Sequence, residues 1–478
     1  MNATVDVELA VIGGGPAGLA AATLAAEGGA SVLLLDEQAS PGGQIYRNIE
    51  AVCDRRPAIA AALGDDYRGG LELVRAFRRS GAGYRPRASV WEIAGDGALA
   101  VVGDGGAEVL RARRLLVATG AAERPVPVPG WTLPGVMTVG AAQTLLKASG
   151  LAAGEAVIAG CGPLVLLFAL QSIAVGAPPR AVLLSEGFGD YLRALPHLPR
   201  AVGSLDLLAK GWGWLRQLKS SGVEVVTGVS AVAARGGSAV DGVGFITGGG
   251  RRDIDAGLLL LHQGLVPNGH LLRAAGCAQE WDPAQACWRT RRNSWGATSR
   301  NDIAVAGDCA GIGGALAAAE AGRLSALDAL YRLGHIGRAA RNGRALPMAA
   351  ALRRHLRPRP LLEALYRPPA EVLRPTAPDT VVCRCEGVRL AALTELRGLG
   401  VPGPNQAKAF SRCGMGPCQG RLCEATVGRL LSDEPPLAGR TPQTYTIRPP
   451  ARPVTVGQVA ALDGLAEPAG EVSGMLDR

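Results

Sequence analysis

Aromatic residues make up only 4% of this 478-residue chain, which argues against a base-stacking surface for nucleic acid. Lysine is nearly absent: Lys147, Lys210, Lys219 and Lys408 are the only four among fifty basic residues. The net charge of +9 is carried by arginines spread along the chain, with a local excess from Arg332 to Arg374. That distribution reads as a solvated or docking face and not as a nucleic-acid footprint. Long apolar runs are missing as well. Leu164 to Leu170 falls far short of the roughly 20 residues that span a bilayer, so no transmembrane segment is expected. Met1 to Leu9 carries no basic leader, so the expected location is cytoplasmic, with contact to the inner face of a membrane only through a complex. Five scattered histidines (His197, His262, His270, His335, His355) form no Ser–His–Asp or paired-carboxylate pattern.

What is present in excess is glycine, at 67 of 478 residues with no Gly-X-Y period. Such glycines serve turns and close backbone approaches. The hydrophobic share of 48% supplies ample core, and the length suggests about three domains.

Val7 to Ile12 reads as an apolar strand, Ala17 to Ala26 as an alanine-rich helix and Val32 to Leu35 as a second strand. Between the first two lies Gly13-x-Gly15-x-x-Gly18, with Pro16 and Ala17 in the turn. The three glycines suit a tight turn, a close pyrophosphate approach and close helix–strand packing, and the helix N-terminus faces the phosphates. Asp36 ends the second strand, at the spacing from Gly18 that a ribose-binding acid needs, with Glu37 the neighbouring alternative. Its carboxylate can accept hydrogen bonds from ribose hydroxyls. Separate strands are expected at Glu108 to Leu110 and Leu115 to Ala118.

A second unit of this kind begins after the proline-rich crossing Pro125 to Pro134. Gly160-Cys161-Gly162 starts a dinucleotide turn, but Val165 occupies the third glycine position, where it would push the helix away or crowd a nucleotide. Glu186 follows as a possible ribose acid, less well placed than Asp36. Three occupancies stay open here: NAD(P)H, another adenine nucleotide, or none. Cys53 stands alone in the N-terminal region, so a Cys-x-x-Cys redox pair beside the first turn is excluded.

Five of the ten cysteines fall in one C-terminal stretch: Cys383-Arg-Cys385, then Cys413-Gly-Met-Gly-Pro-Cys418-Gln-Gly-Arg-Leu-Cys423. Four thiolates are what a [2Fe–2S] cluster requires. Structural zinc prefers Cys-x2-4-Cys knuckles, which the Cys-x-Cys half fits poorly. Residues 389 to 399 suit a helix between the half-sites. Cys161, Cys277, Cys287, Cys309 and Cys53 read as small buried hydrophobes.

Several motifs carry a resemblance. Val305-Ala306-Gly307-Asp308, Ala118-Thr119-Gly120 and Gly42-Gly43-Gln44 resemble elements of flavoproteins with two dinucleotide-binding domains, which implies FAD held near Asp308, Thr119 and Gln44. The cysteine segment resembles the bacterioferritin-associated-ferredoxin-like [2Fe–2S] domain, which implies Cys383, Cys385, Cys418 and Cys423 as ligands, with Cys413 as a possible substitute. Pro41 to Arg47, Pro129 to Val136 and Lys408 to Arg421 are similar to the α (A) subunits of opine oxidases, of hydroxyproline and proline dehydrogenases, and of hydrogen cyanide synthase. That group implies oxidation of an amine or imino acid in a partner β subunit related to D-amino-acid oxidases, which carries its own FAD. It further implies FMN at the subunit interface in some members, a small ferredoxin-like subunit, and a quinone or similar acceptor. The substrate would then be oxidised outside this chain.

The expected fold is α/β, with two Rossmann-like domains of the glutathione-reductase type and a small α-rich iron–sulfur module. The expected boundaries are 1–130 with 262–332 for FAD, 131–261 for the degraded nucleotide domain, 333–378 for an Arg/Pro-rich helical linker, 379–432 for the cysteine module, and 433–478 for an extended arm. The rivals are a stand-alone NAD(P)H-dependent flavin and iron–sulfur oxidoreductase, and a non-enzymatic iron–sulfur scaffold or sensor.

Overall fold

Leu9 to Ile12 are apolar, β-prone and almost wholly buried, and the strand Asp6–Ile12 that contains them is an inner strand of a mixed sheet. It pairs with Val32–Leu35 on one side and Gly106–Val117 on the other. The full path runs Gly83–Arg85, Val32–Leu35, Asp6–Ile12, Gly106–Val117, Leu99–Gly103, Ser89–Ile93, and Ile303–Val305 returns from far along the chain to pair with Gly106–Val117. A computed structural model provides these coordinates and describes residues 6–201, 203, 205–432 and 441–462.

Gly106–Val117 corrects one expectation, because the two predicted strands are a single strand of 12 residues. The run Arg111 to Arg114 breaks the apolar pattern but not the strand. It lies where the strand leaves an antiparallel pairing with Leu99–Gly103 and enters the parallel pairing with Asp6–Ile12. Arg111 and Arg113 reach Asp96 and Glu8 at 2.5 and 3.3 Å, so their charges stay at the sheet's rim.

One face of this sheet is covered by the helices Pro16–Glu27 and Ala315–Leu333, which meet through small residues. A Cβ on Gly322 would lie 2.1 Å from the Ala17 carbonyl oxygen, so the helices approach to backbone contact.

The second sheet is entirely parallel, in the order Glu224–Val226, Ala181–Leu184, Val157–Cys161, Leu259–Gln263, Val136–Thr138. Val157–Cys161 and Ala181–Leu184 are buried throughout, as expected of strands covered on both faces. A three-stranded antiparallel sheet, Ala231–Arg235, Gly242–Thr247 and Gly250–Asp255, flanks it.

The linker forms the helices Arg338–Leu356, Arg359–Leu365 and Ala370–Leu373. Pro358 separates the first two, whereas Pro360 sits in the first turn of the second, where its missing N–H costs nothing. Part of the arginine excess is spent internally. Arg341 is stacked 4.3 Å from both the Trp295 and Tyr331 rings and pairs with Asp328 at 2.7 Å.

The cysteine module holds the strands Val381–Cys383 and Val388–Arg389 and the helices Leu390–Gly398, Pro404–Ser411 and Glu424–Ser432 around its own core. Residues 441–454 then run without regular secondary structure, with bends at 449, 451 and 452, before a short helix, Val456–Ala460. Residues 433–440 and 463–478 of the expected arm lie outside the described residues.

Lys147 joins the two sheets. From the helix Val139–Ser149 its buried ammonium donates to the carbonyls of Gln44 and Ile45, at 3.2 and 2.9 Å, and to Gln143 Oε1 at 2.9 Å. Burial, with help from Arg47, lowers its pKa to about 7. Between there and its ordinary 10.5 the unfolded chain binds more protons at this site, so stability rises with pH across that window. We expect Lys147→Met to remove this rise, at most about 1.4 kcal/mol per pH unit, when denaturation of the two proteins is compared near neutral and alkaline pH.

Candidate functional site

The first glycine turn closes between two strand ends. The Gly13 N–H donates to the Leu35 carbonyl at 2.8 Å, and its φ of +112° with a carbonyl of Ala118 2.4 Å from any Cβ restricts the position to glycine. A Cβ on Gly18 would lie 1.9 Å from the Gly13 carbonyl oxygen. Gly15 is different: only Gly43 Cα comes within 4 Å of its Cβ position, at 3.9 Å, which leaves an approach beside the N-terminus of the helix begun by Pro16 and Ala17.

Asp36 points at this turn, since a Cβ on Gly14 would sit 2.1 Å from its Oδ2. Its Oδ1 accepts from the Gln38 N–H at 3.0 Å, and burial holds its pKa above the usual carboxylate value. Glu37 faces elsewhere and pairs with Arg452 at 2.8 Å. The two acids therefore separate, Asp36 to the turn and Glu37 to the C-terminal arm.

Gly42 donates to the Gly14 carbonyl at 2.8 Å, which lays the loop of Gly43 and Gln44 over the turn. Gln44 Oε1 accepts from Arg47 at 2.8 Å, while Arg47 Nε is buried with no hydrogen-bond partner. Ala118 follows the strand Gly106–Val117 directly, Thr119 Oγ1 donates to the Asn268 carbonyl at 2.7 Å, and no atom lies within 4 Å of a Cβ on Gly120. Gly307 brings the chain over Ala17, and Asp308 Oδ1 accepts the N–H groups of Gly313 and Gly314 at 2.9 and 3.1 Å, ahead of the helix Ala315–Leu333. FAD fits this cradle: a dipole-bearing helix start, a buried acid beside it and an unpaired guanidinium nitrogen converge.

The second turn repeats the first at its two leading glycines and departs from it at the third position. A Cβ on Gly160 would lie 1.7 Å from the His262 carbonyl oxygen, while none comes within 4 Å of one on Gly162. Val165 is fully buried in the core. Cys161 Sγ donates to Gln263 Oε1 at 3.2 Å and to the Tyr366 carbonyl at 3.5 Å, so the linker lies over the turn. Glu186 is buried, its Oε2 has no partner, and burial raises its pKa to about 7. His262 Nδ1 lies 2.7 Å from Glu123 Oε1, a structural pairing in which Glu123 also receives the Gly140 N–H.

The cysteine segment gathers three of its five clustered thiols in one group. Cys383, Cys413 and Cys423 are buried with their sulfurs within 4.8 Å of one another, whereas Cys385 is exposed and interacts with Cys418. Cys413 therefore stands inside the group and not apart from it. Hydrogen bonds from Cys413 and Cys423 pull the Cys383 thiol down, while Cys383 pushes Cys413 up to about 12. A Cβ on Gly416 would lie 2.3 Å from Cys385 Cβ, so the Gly-Met-Gly-Pro turn must wrap tightly. Thiols are the kind of donor an iron–sulfur cluster takes, and three of them already converge here.

Sequence spacing does not reveal Lys147, Tyr366, Arg273 or Tyr445, because each makes its contacts with segments remote along the chain. Arg273, on the helix His270–Ala274, holds Glu424 bidentately at 2.7 and 2.8 Å, and both are largely buried. Glu424 directly follows Cys423 and also accepts the Tyr445 N–H at 2.9 Å. Cys309, beside Asp308, is fully buried and donates to the carbonyls of Val117 and Ala306.

Fold and first turn define a flavin-dependent oxidoreductase of the pyridine nucleotide-disulphide oxidoreductase family, whose pattern matches residues 7–323. Within that class the chain belongs to the family of opine oxidase A subunits. It is 43% identical over 476 residues to the A subunit of opine oxidase from Rhizobium meliloti, covering 98% of this chain and 90% of that protein. It is 33% identical to hydrogen cyanide synthase subunit HcnB of Pseudomonas aeruginosa, covering 86% of this chain and 90% of that one. Among solved structures, L-proline dehydrogenase from P. horikoshii shares the fold, with a TM-score of 0.66 and 18% identity over 96% of this chain and 80% of that one. No helix among the described residues is long and apolar enough to cross a membrane.

Two outcomes follow from the geometry. Gly18→Ala should cut flavin per chain at least tenfold, read from visible absorption of the purified protein. Arg273→Ala should cost about 3–5 kcal/mol in chemical denaturation, since it leaves the Glu424 charge buried and unpaired.

Proposed function

We propose that the chain is the electron-transfer subunit of a heteromeric dehydrogenase or oxidase, which takes electrons from an amine or imino acid oxidised at a partner subunit. The substrate class is that of opines, of proline and hydroxyproline, or of glycine. The partner is a β subunit of the D-amino-acid-oxidase type with its own FAD. FMN at the subunit interface, a quinone acceptor and a small ferredoxin-like subunit complete the expected assembly in the cytoplasm.

The observation that carries this reading is the direct link between the flavin half and the cysteine module through Arg273 and Glu424. When bound, FAD supplies two-electron acceptance and a [2Fe–2S] cluster supplies one-electron transfer. The chain's own residues hold and separate these groups. Asp36 and the N-terminus of the helix Pro16–Glu27 would hold the ribose and pyrophosphate. Gly42 to Gln44, propped by Lys147, cover the turn. Asp308 orders Gly313 and Gly314 and would help to hold the FAD. Cys383, Cys385, Cys418 and Cys423 are the ligands of first choice, and Cys413 is the substitute. By the resemblance to opine oxidase A subunits, proton removal from the substrate belongs to the partner.

A second reading, an NAD(P)H-dependent reductase, has one observation in its favour: the unpartnered oxygen of Glu186 at the ribose-acid position of the second domain. Against it stand Val165 in the third glycine place and the linker over Cys161.

The test uses the purified full chain. NADH should leave its flavin oxidised for minutes, whereas a co-expressed β-type partner with an opine, proline, hydroxyproline or glycine should bleach it. Bleaching by NADH alone within seconds would establish the reductase instead. Cys418→Ser should lose the iron signal and keep the FAD.

A further inference from the structure

The C-terminal arm reaches the cysteine cluster through one residue. Tyr445 is 1% exposed, and its hydroxyl lies 3.5 Å from Cys413 Sγ and 3.7 Å from Cys423 Sγ. The ring fits a slot cleared by two glycines: a Cβ on Gly414 would be 2.5 Å from Tyr445 Cζ, and one on Gly420 would be 2.5 Å from Cδ2. The Lys408 ammonium sits 4.5 Å from the ring centroid. The backbone is pinned on both sides, its N–H by Glu424 at 2.9 Å and its carbonyl by Arg273 at 2.5 Å. Further along the arm, Gln419 and Arg421 donate to the carbonyls of Pro450 and Ala451, and Arg452 reaches Glu37 beside the ribose acid. Tyr445 is thus held rigidly against the thiols by groups from both halves of the molecule.

We propose that Tyr445 is a positioning and tuning residue for the cluster, its hydroxyl donating a hydrogen bond to a ligand sulfur. The inference rests on the iron–sulfur reading of the cysteine module. A ligating Cys423 carries no proton, so in that pair only the phenol can donate. A hydrogen bond to a thiolate sulfur withdraws electron density and favours the reduced, more negatively charged cluster, which raises the potential. The ring also closes the Cys413 and Cys423 side of the site with apolar surface, which limits water there.

The experiment is a redox titration of the full chain followed by electron paramagnetic resonance, with iron and labile sulfide measured on each sample. Tyr445→Phe should keep wild-type iron per chain and shift the potential to more negative values. Replacing Tyr445 by 3-fluorotyrosine, which keeps the shape and strengthens the donor, should shift it the other way at a pH where the phenol stays neutral. The fluorinated protein decides the question if the phenylalanine variant does not load iron. A potential unchanged in whichever of these proteins loads iron overturns the proposal. Absence of iron and sulfide from the wild-type chain would instead overturn the iron–sulfur reading itself.

Discussion

The largely buried ion pair between Arg273 and Glu424 is the contact on which the arrangement of this molecule turns. A bidentate guanidinium–carboxylate pair has fixed geometry, and removal of either partner leaves a costly buried charge. Arg273 belongs to the flavin half, and Glu424 follows the last cysteine of the cluster. The same guanidinium binds the Tyr445 carbonyl, and the same carboxylate binds the Tyr445 N–H. One pair of charges therefore sets the position of the cysteine module, the course of the arm and the seat of the buried tyrosine.

Around that contact the two nucleotide folds have diverged. In the first, glycine at positions 13 and 18 lets backbone meet backbone, and the acid at the end of the second strand faces the turn. In the second, the strands, the helix and the two leading glycines persist, but the third glycine does not. Val165 is absorbed into the core, and the Tyr366 carbonyl covers Cys161. From that half Lys147 holds the loop of Gln44 and Ile45 through their carbonyls.

Much of this was legible in the sequence because it is local. Glycine spacing, apolar strand ends and the Asp36 position depend on residues within one βαβ unit, and the clustering of five cysteines needs no tertiary information. What was not legible is long-range or set by pairing. Arg111 to Arg114 read as a break because their charges hide a strand whose register is fixed by a parallel partner at one end and an antiparallel one at the other. Arg341 read as surface charge, yet it is sandwiched between Trp295 and Tyr331. Cys413 read as the odd thiol by spacing, and the fold brings it among the others. Tyr445 lies well beyond Cys423, in a proline-rich tail that carries no periodic signal.

The central proposal is that one chain carries both a flavin and an iron–sulfur centre. Elemental and cofactor analysis of the purified full chain tests it most directly. The account predicts one FAD with about two irons and about two labile sulfides per chain. One zinc per chain with no labile sulfide would contradict it.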